Sequence, residues 1–480
     1  MASDTQSRGA SPRPIEADDA ELVAGLPPVA QAQAGAPRAV FGRMARNLGW
    51  LLGGRGILAV ASLIYLAAAA RGLGPSGFGL FTLVLAYGQA IANLAQFQSW
   101  QGVIRFGAVH LAQAREDRLA RLLGFTATLD FASASLGALL ALAGTSAMGS
   151  LLGWTEIVQH RAGLFSAVLL LSTGATPNGM LKLHNRFDVL TAAESVGPVA
   201  RLVGAVAAWW LEGGLDAFLA AWAGAAVLQS LVQWWAALRL PGARLAFGRA
   251  AWAGALAEND RLWNFMWQAS LSASLGLVWQ QLGTLAVGHS LGATAAGGYR
   301  LAARLAKAIA RPVQSAARVL YPELARMAAG EDRATFTAVV RRVAAIGLGL
   351  GLLLVVVATL LGRPALRLLG GAGFEFARPY LVLFALASAI DLSGFALEPL
   401  HNAFGRSGRV LGTRLLAAAL YIVALALLLP WWGGVGAVVA SVVSSLALRV
   451  VLGRSAAQLL RAGRQESPDT RPDQKGSTAG

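Results

Sequence analysis

Apolar stretches of about 20 residues, each long enough to cross a bilayer, recur along most of the 480-residue chain with only short polar breaks. They fall near 48–70, 78–104, 122–147, 157–178, 188–211, 215–238, 262–288, 294–318, 342–362, 379–404, 411–430 and 434–453. With 56% hydrophobic residues, 13% charged residues and a mean hydropathy of +0.56, the chain is too apolar for a soluble domain. The pattern predicts an all-α polytopic membrane protein with about twelve transmembrane helices. With no cysteine, the chain has no disulfide, thiolate metal site or cysteine nucleophile.

The charges test that layout. The formal net charge of +16 is carried almost wholly by arginine, the lysines being Lys182, Lys307 and Lys475. If the N-terminus is cytoplasmic, the inner connections hold Arg38, Arg43 and Arg46, Arg105 to Arg121, Lys182 and Arg186, Arg239 to Arg249, Arg326 to Arg342, Arg406 to Arg414, and Arg454 to Arg464. The outer turns are poor in cations apart from Arg71 and the loop with Arg363, Arg367 and Arg378. Cytoplasmic loops accumulate Lys and Arg, so both termini are expected in the cytoplasm. Residues 1–40 are rich in Ala, Pro, Ser and Gln, lack the features of a secretory signal, and are expected to be a disordered tail, as is 454–480. Between them the expected organisation is a six-helix lobe over 41–240, a cytoplasmic linker at 241–260 and a second six-helix lobe over 261–453.

An internal repeat supports two lobes. Leu73-Gly74-Pro75-Ser76-Gly77-Phe78-Gly79 is echoed by Leu291-Gly292-Ala293-Thr294-Ala295-Ala296-Gly297-Gly298-Tyr299, and Leu183-His184-Asn185-Arg186-Phe187 by Leu400-His401-Asn402-Ala403-Phe404. Each pair occupies equivalent places in a six-helix half, so the halves are expected to be parallel repeats about an axis along the membrane normal.

With Gly54-Arg55-Gly56 and Ala70-Arg71-Gly72-Leu73-Gly74-Pro75 followed by Gly77-Phe78-Gly79, this layout resembles the Wzx-type polysaccharide and O-antigen flippases of the multidrug/oligosaccharidyl-lipid/polysaccharide exporter superfamily over roughly residues 45 to 455. The resemblance implies a multi-pass protein of the bacterial inner membrane that carries undecaprenyl-diphosphate-linked oligosaccharide, a precursor of polysaccharide such as lipopolysaccharide O-antigen, between leaflets by alternating access. It further implies contact with membrane lipids, a proton or sodium ion as coupling ion, and glycan polymerase or ligase machinery as partners.

Within this topology, Arg300, Arg304, Lys307 and Arg311 form one cationic helix stripe at membrane depth, with Arg318 at the inner interface. A cation at the bilayer centre costs about 2.5–3.5 kcal/mol, so the stripe is expected to face a water-filled cavity and bind the diphosphate. Related flippases carry basic residues on helices one and eight, which adds Arg55. Gln89, Asn93 and Gln96 on helix two, with Asn264, Gln268, Gln280 and Gln281 on helix seven, are candidates for sugar hydroxyls or for helix-to-helix hydrogen bonds. Among intramembrane acids, Glu194 is expected to pair with Arg201, and Asp391 and Glu398 are the ion-coupling candidates beside Asp130. Trp263, Trp267, Trp209 and Trp210 suit the aromatic belts.

No cofactor, metal or nucleic acid is expected, and no residue pattern supports an enzyme. The rivals are a cation-coupled drug antiporter of the same superfamily, which would favour an acidic cavity; a peptidoglycan-precursor flippase, expected to need further helices; and a glycan polymerase or ligase, disfavoured by short outer loops. Reporter fusions check the orientation: both termini should report cytoplasm and a fusion at Gly149–Glu156 should report the outside, the reverse pattern being incompatible with the charge assignment.

Overall fold

The computed structural model describes the backbone of residues 37–328, 333–394, 397–403 and 407–465. Two units separate, residues 1–54 and 55–480. In the first, residues 37–54 form the opening turns of a helix; all that follows concerns the second. The described helices are α1 (Pro37–Ala95), α2 (Ser99–Ala112), α3 (Glu116–Leu152), α4 (Glu156–Leu171), α5 (Ala175–Leu183), α6 (Phe187–Trp210), α7 (Gly214–Leu238), α8 (Arg249–Glu258), α9 (Leu262–Ala328), α10 (Arg333–Gly370), a 3-10 turn (Ala372–Ala377), α11 (Arg378–Ser393), α12 (Leu397–Ala403) and α13 (Ser407–Gln465).

Three of these are pairs of spans joined by one non-helical glycine: Gly74 (φ 66°, ψ 178°) in α1, Gly292 (φ 81°, ψ 177°) in α9 and Gly433 (φ 58°, ψ −140°) in α13. The first two conformations are essentially closed to any residue with a Cβ. Pro75 then starts the next limb of α1, where its missing N–H is no loss. Divided at these glycines, and with α2 continuing the second limb of α1, α5 continuing α4 and α12 continuing α11, the helices give the twelve expected spans, six in each half. Exposed Leu139, Leu360, Leu427 and their like cover the outside of the spans, where lipid chains replace water.

The repeat extends beyond the two motifs visible in sequence. Positive-φ glycines recur 218 residues apart at Gly74 and Gly292, 218 apart at Gly153 and Gly371, and 219 apart at Gly214 and Gly433. His184 and His401, 217 residues apart, each place Nδ1 at hydrogen-bonding distance from the carbonyl four residues earlier, Met180 O at 2.9 Å and Leu397 O at 2.7 Å. The His184 and His401 turns at one end of the spans, and those at the opposite, Gly74 and Gly292 end, are therefore the same turns used twice.

At the Gly74 and Gly292 end the halves meet backbone to backbone. A Cβ on Gly79 would lie 2.0 Å from the Ala293 carbonyl oxygen, and one on Gly297 only 3.1 Å from the Gly79 Cα. Phe78 and Phe374 meet edge to face with centroids 5.5 Å apart, and Arg71 donates to the Leu368 carbonyl at 2.6 Å, near the end of α10. The other cations expected at this end are engaged: Arg363 pairs with Glu375 at 2.5 Å, Arg367 lies 3.8 Å from the same carboxylate, and Arg378 donates to Thr359 O. At the opposite end, the start of α9 packs on the first half through Phe97 against Trp263 and Trp267, and through the Gln98 N–H donating to Ser270 Oγ at 2.9 Å.

Residues 241–260, expected as a plain linker, include a helix docked on the first half. The Ala246 N–H donates to Ala120 O, Trp252 stacks obliquely on Phe125, and Arg121 grips Glu258 with two hydrogen bonds. The second tail also begins later than expected. α13 continues past residue 453 to Gln465 because Ser455 is tied to His401 and Arg409 and Ala456 is buried. Most of residues 1–40 and all of 466–480 lie outside the described residues, whereas 37–40 are helical.

The Gly79 contact generates a direct test. Gly79→Val should lower the thermal stability of the purified protein by about 1–3 kcal/mol through overpacking, whereas Gly349→Ala, with open space around its Cα, should be close to neutral; equal melting temperatures for both variants would contradict the contact.

Candidate functional site

The second limb of α9 turns Arg300, Arg304 and Ala308 onto one face, a spacing of four residues that stacks side chains along a helix. With Ser62, Tyr65, Gln89 and Arg201 they line a cavity of about 90 Å³. Arg300 is only 8% exposed. Its guanidinium donates through Nη1 to Gln281 Oε1 at 3.1 Å and through Nη2 to Gln89 Oε1 at 3.2 Å, so a glutamine from each half aims it. Five donors are available on a guanidinium, and these bonds use two. At 1.5 Å per residue, Arg300 lies about 12 Å along the limb from Gly292, and Arg201 about 13.5 Å along α6 from Trp210. The two arginines therefore stand at similar depth, well inside the bilayer.

A second chamber, about 250 Å³, adjoins the first and shares Gln89 and Arg201 with it. Asn93, Gln96, Gln229 and Gln233 supply the rest of its amide lining. The three amides expected on helix two therefore face one polar space, and Gln96 also donates to Leu170 O at 3.3 Å where span four is broken.

The remaining candidates are placed elsewhere. Lys307 is one residue off the Ala308 ridge, about 100° around the helix; it is exposed and lies within electrostatic reach of Asp391. Neither Lys307 nor Asp391 lines the two chambers. Glu398 accepts from Nε and Nη2 of Arg414, at 2.9 and 2.6 Å. Asn264 and Gln268 are exposed and bond to each other at 3.2 Å, the ordinary pairing of amides four apart on a helix. The side chains of Arg55, Gln280, Arg311 and Arg318 lie outside the described residues.

The expected pairing of Glu194 with Arg201 does not occur. Seven residues along a helix is about 10.5 Å, and Glu194 instead accepts from Asn178 at 3.0 Å while Arg201 turns into the cavity with its Nε buried and unpartnered. Arg201, Gln229 and Gln233 are among the lining residues that sequence reasoning did not assign to a site. The signal available for the glutamines was two amides one turn apart in an otherwise apolar span. Among the described residues no three His, Asp or Glu side chains gather where a metal ion could be held.

Residues 44–328 match the family described as "Polysaccharide biosynthesis protein". The chain is 25% identical over 338 residues to the Inner membrane protein YghQ of Escherichia coli (strain K12), covering 70% of this chain and 94% of that protein. Its fold is similar to a multidrug resistance MATE family transporter of the MOP superfamily in an inward-facing conformation (TM-score 0.65, 13% identity, 86% of this chain and 99% of the other). It is equally similar in fold to the lipid II flippase MurJ in an inward closed conformation (TM-score 0.65, 11% identity, 84% and 86%). The twelve spans in two six-helix lobes are thus a MATE-like fold.

One buried acid ties three helices of the first half together. Asp130, 2% exposed, accepts from Ser99 Oγ, from the Thr176 N–H at 2.8 Å and from Thr176 Oγ1 at 2.6 Å, joining α2 and α3 to the start of α5. Asp130→Asn would present an NH₂ to one of these donors and should cost about 1–3 kcal/mol, read as a lower midpoint in thermal denaturation; an unchanged midpoint would remove the carboxylate's structural role.

Proposed function

We propose that this chain, which belongs to the polysaccharide biosynthesis protein family, carries undecaprenyl-diphosphate-linked oligosaccharide across the bacterial inner membrane by alternating access. It is a transporter-type membrane protein, and the observation that carries the finer reading is the cavity shared by Arg300 and Arg304 of the second half and Arg201 and Gln89 of the first. Cations at this depth are costly in lipid and are repaid by an anionic ligand rich in acceptor oxygens. A diphosphate is such a ligand, with each charge-assisted hydrogen bond contributing about 1.5–3 kcal/mol.

The charge pattern supports reading the end at Gly74 and Gly292 as the outer face. Closed there by Gly79 against Ala293, the protein is in a state suited to receiving substrate from the inner leaflet. The name of the Escherichia coli relative, an inner membrane protein, supports the location. Arg300, Arg304 and Arg201 hold the phosphates; Arg55 and Arg311 are further phosphate ligands on the strength of the family resemblance. Gln89, Asn93 and Gln96 meet the sugar. Asp391, within electrostatic reach of Lys307, is the coupling candidate for a proton or sodium ion, because protonating or occupying the carboxylate would weaken its attraction for the lysine. Glu398 is a weaker coupling candidate because Arg414 already neutralises it. Arginines at the centre disfavour a cationic drug as cargo. Polymerase and ligase partners follow from the product, a lipid-linked glycan on the outer leaflet.

Translocation of lipid-linked oligosaccharide in proteoliposomes tests this. Arg304→Ala should slow flipping about tenfold or more, the loss of one charge-assisted bond, while Asp391→Asn should flip at a rate that no longer responds to an imposed proton or sodium gradient. Wild-type flipping by Arg304→Ala would sink the phosphate role, and an intact gradient response in Asp391→Asn would sink the coupling role.

A further inference from the structure

Span six supplies chemistry that its hydropathy hides. Gln229 and Gln233 stand one turn apart on α7. Gln233 is 5% exposed, and its Oε1 is seated against Gly174, where a Cβ would come within 2.1 Å; the Oε1 of Gln229 is seated in the same way against Gly197, at 1.9 Å. Two glycines thus make room for two amides. Among the described residues neither amide has a hydrogen-bond partner, and both open on the 250 Å³ chamber with Asn93 and Gln96.

The wall behind them is already satisfied. Where span four breaks between α4 and α5, Ser230 Oγ and Trp234 Nε1 both donate to Thr173 O, at 2.6 and 3.0 Å, and Gln96 donates to Leu170 O. The free amides are therefore not consumed by exposed backbone, as buried polar groups otherwise would be. Arg201 stands where the two chambers join, with its Nε buried and without an acceptor. A buried donor in that condition is a cost until a ligand arrives.

Together these make a graded site: arginines in one chamber, a single arginine at the junction, and a chamber lined beyond it by amides and hydroxyls and, among the described residues, by no carboxylate. An amide both donates and accepts, which matches a sugar hydroxyl and does not select for a cation. Resting on the reading that the arginine chamber takes a lipid-linked diphosphate, we infer that the first-half chamber is the subsite for the sugar ring attached directly to that diphosphate. Its hydroxyls are bound by Gln229, Gln233, Asn93 and Gln96, and Arg201 contacts the phosphate oxygen nearest the ring.

Binding to the full-length protein in nanodiscs tests the inference with two probes, a polyprenyl diphosphate bearing one hexose and the same diphosphate without sugar. The double variant Gln229→Met, Gln233→Met keeps side-chain length and removes the hydrogen bonds. It should weaken the hexose probe about tenfold and leave the bare diphosphate unchanged, which also shows that the variant is folded. Arg201→Met should weaken both probes and Arg201→Lys should restore part of the loss. If the double variant binds the hexose probe as wild type does, or loses both probes equally, the subsite is overturned. The diphosphate reading would then still stand provided Arg304→Ala weakens both probes. If wild type binds neither probe better than a polyprenol without phosphate, the diphosphate reading itself fails.

Discussion

A guanidinium cannot rest in hydrocarbon, and most of what is distinctive in this protein follows from where Arg300, Arg304 and Arg201 are put. Each needs acceptors or water at membrane depth. Arg300 obtains two acceptors by standing between the halves, with Gln281 on one side and Gln89 on the other. Arg201 lines the same cavity from the first half, with its Nε buried and unpartnered. The cavity is the space these requirements leave open, and the helices around it are spaced to preserve it.

The scaffold is symmetric but its lining is not. Shifted by the 218 residues that separate Gly74 from Gly292, Thr82 falls on Arg300 and Gln89 on Lys307. Equivalent faces of equivalent spans thus carry neutral hydrogen-bonding groups in the first half and cations in the second. Thr82 and Arg300 line the same cavity, so the duplicated position still serves one site, with different chemistry on each side. A single chain can thereby present different chemistry on the two sides of one cavity without changing the backbone plan.

Much of the fold was legible from sequence because hydropathy, the Gly-Pro turn at Gly74-Pro75 and the arginine distribution all report on the bilayer, which acts on every span alike. The docked α8 was not, because its anchoring depends on tertiary contacts such as Arg121 with Glu258, which local pattern does not encode. At the site, Arg300 and Arg304 were visible as helix-spaced cations, whereas the side-chain directions that separate Lys307 from them come from one residue of helical phase. Arg201 was misread for a simple geometric reason: a shared helix face does not bring residues seven apart into contact. Gln229 and Gln233 could not be weighed without knowing that Gly197 and Gly174 lie opposite them.

The one-residue joints at Gly74, Gly292 and Gly433 also bear on how the chain enters a membrane. A straight helix of 59 residues, the length of α1 or α13, would extend about 88 Å at 1.5 Å per residue, against a hydrocarbon core of about 30 Å. One glycine dihedral pair converts such a rod into two neighbouring spans of opposite direction. Because the joint is a single residue, almost no hydrated chain has to be drawn across the bilayer when the pair inserts. What crosses is the backbone of one turn with, in the first pair, Arg71 beside it, and that arginine then finds the Leu368 carbonyl. These pairs are suited to enter as preformed helical hairpins, so what the gene duplicated was a unit of membrane insertion as well as a unit of shape.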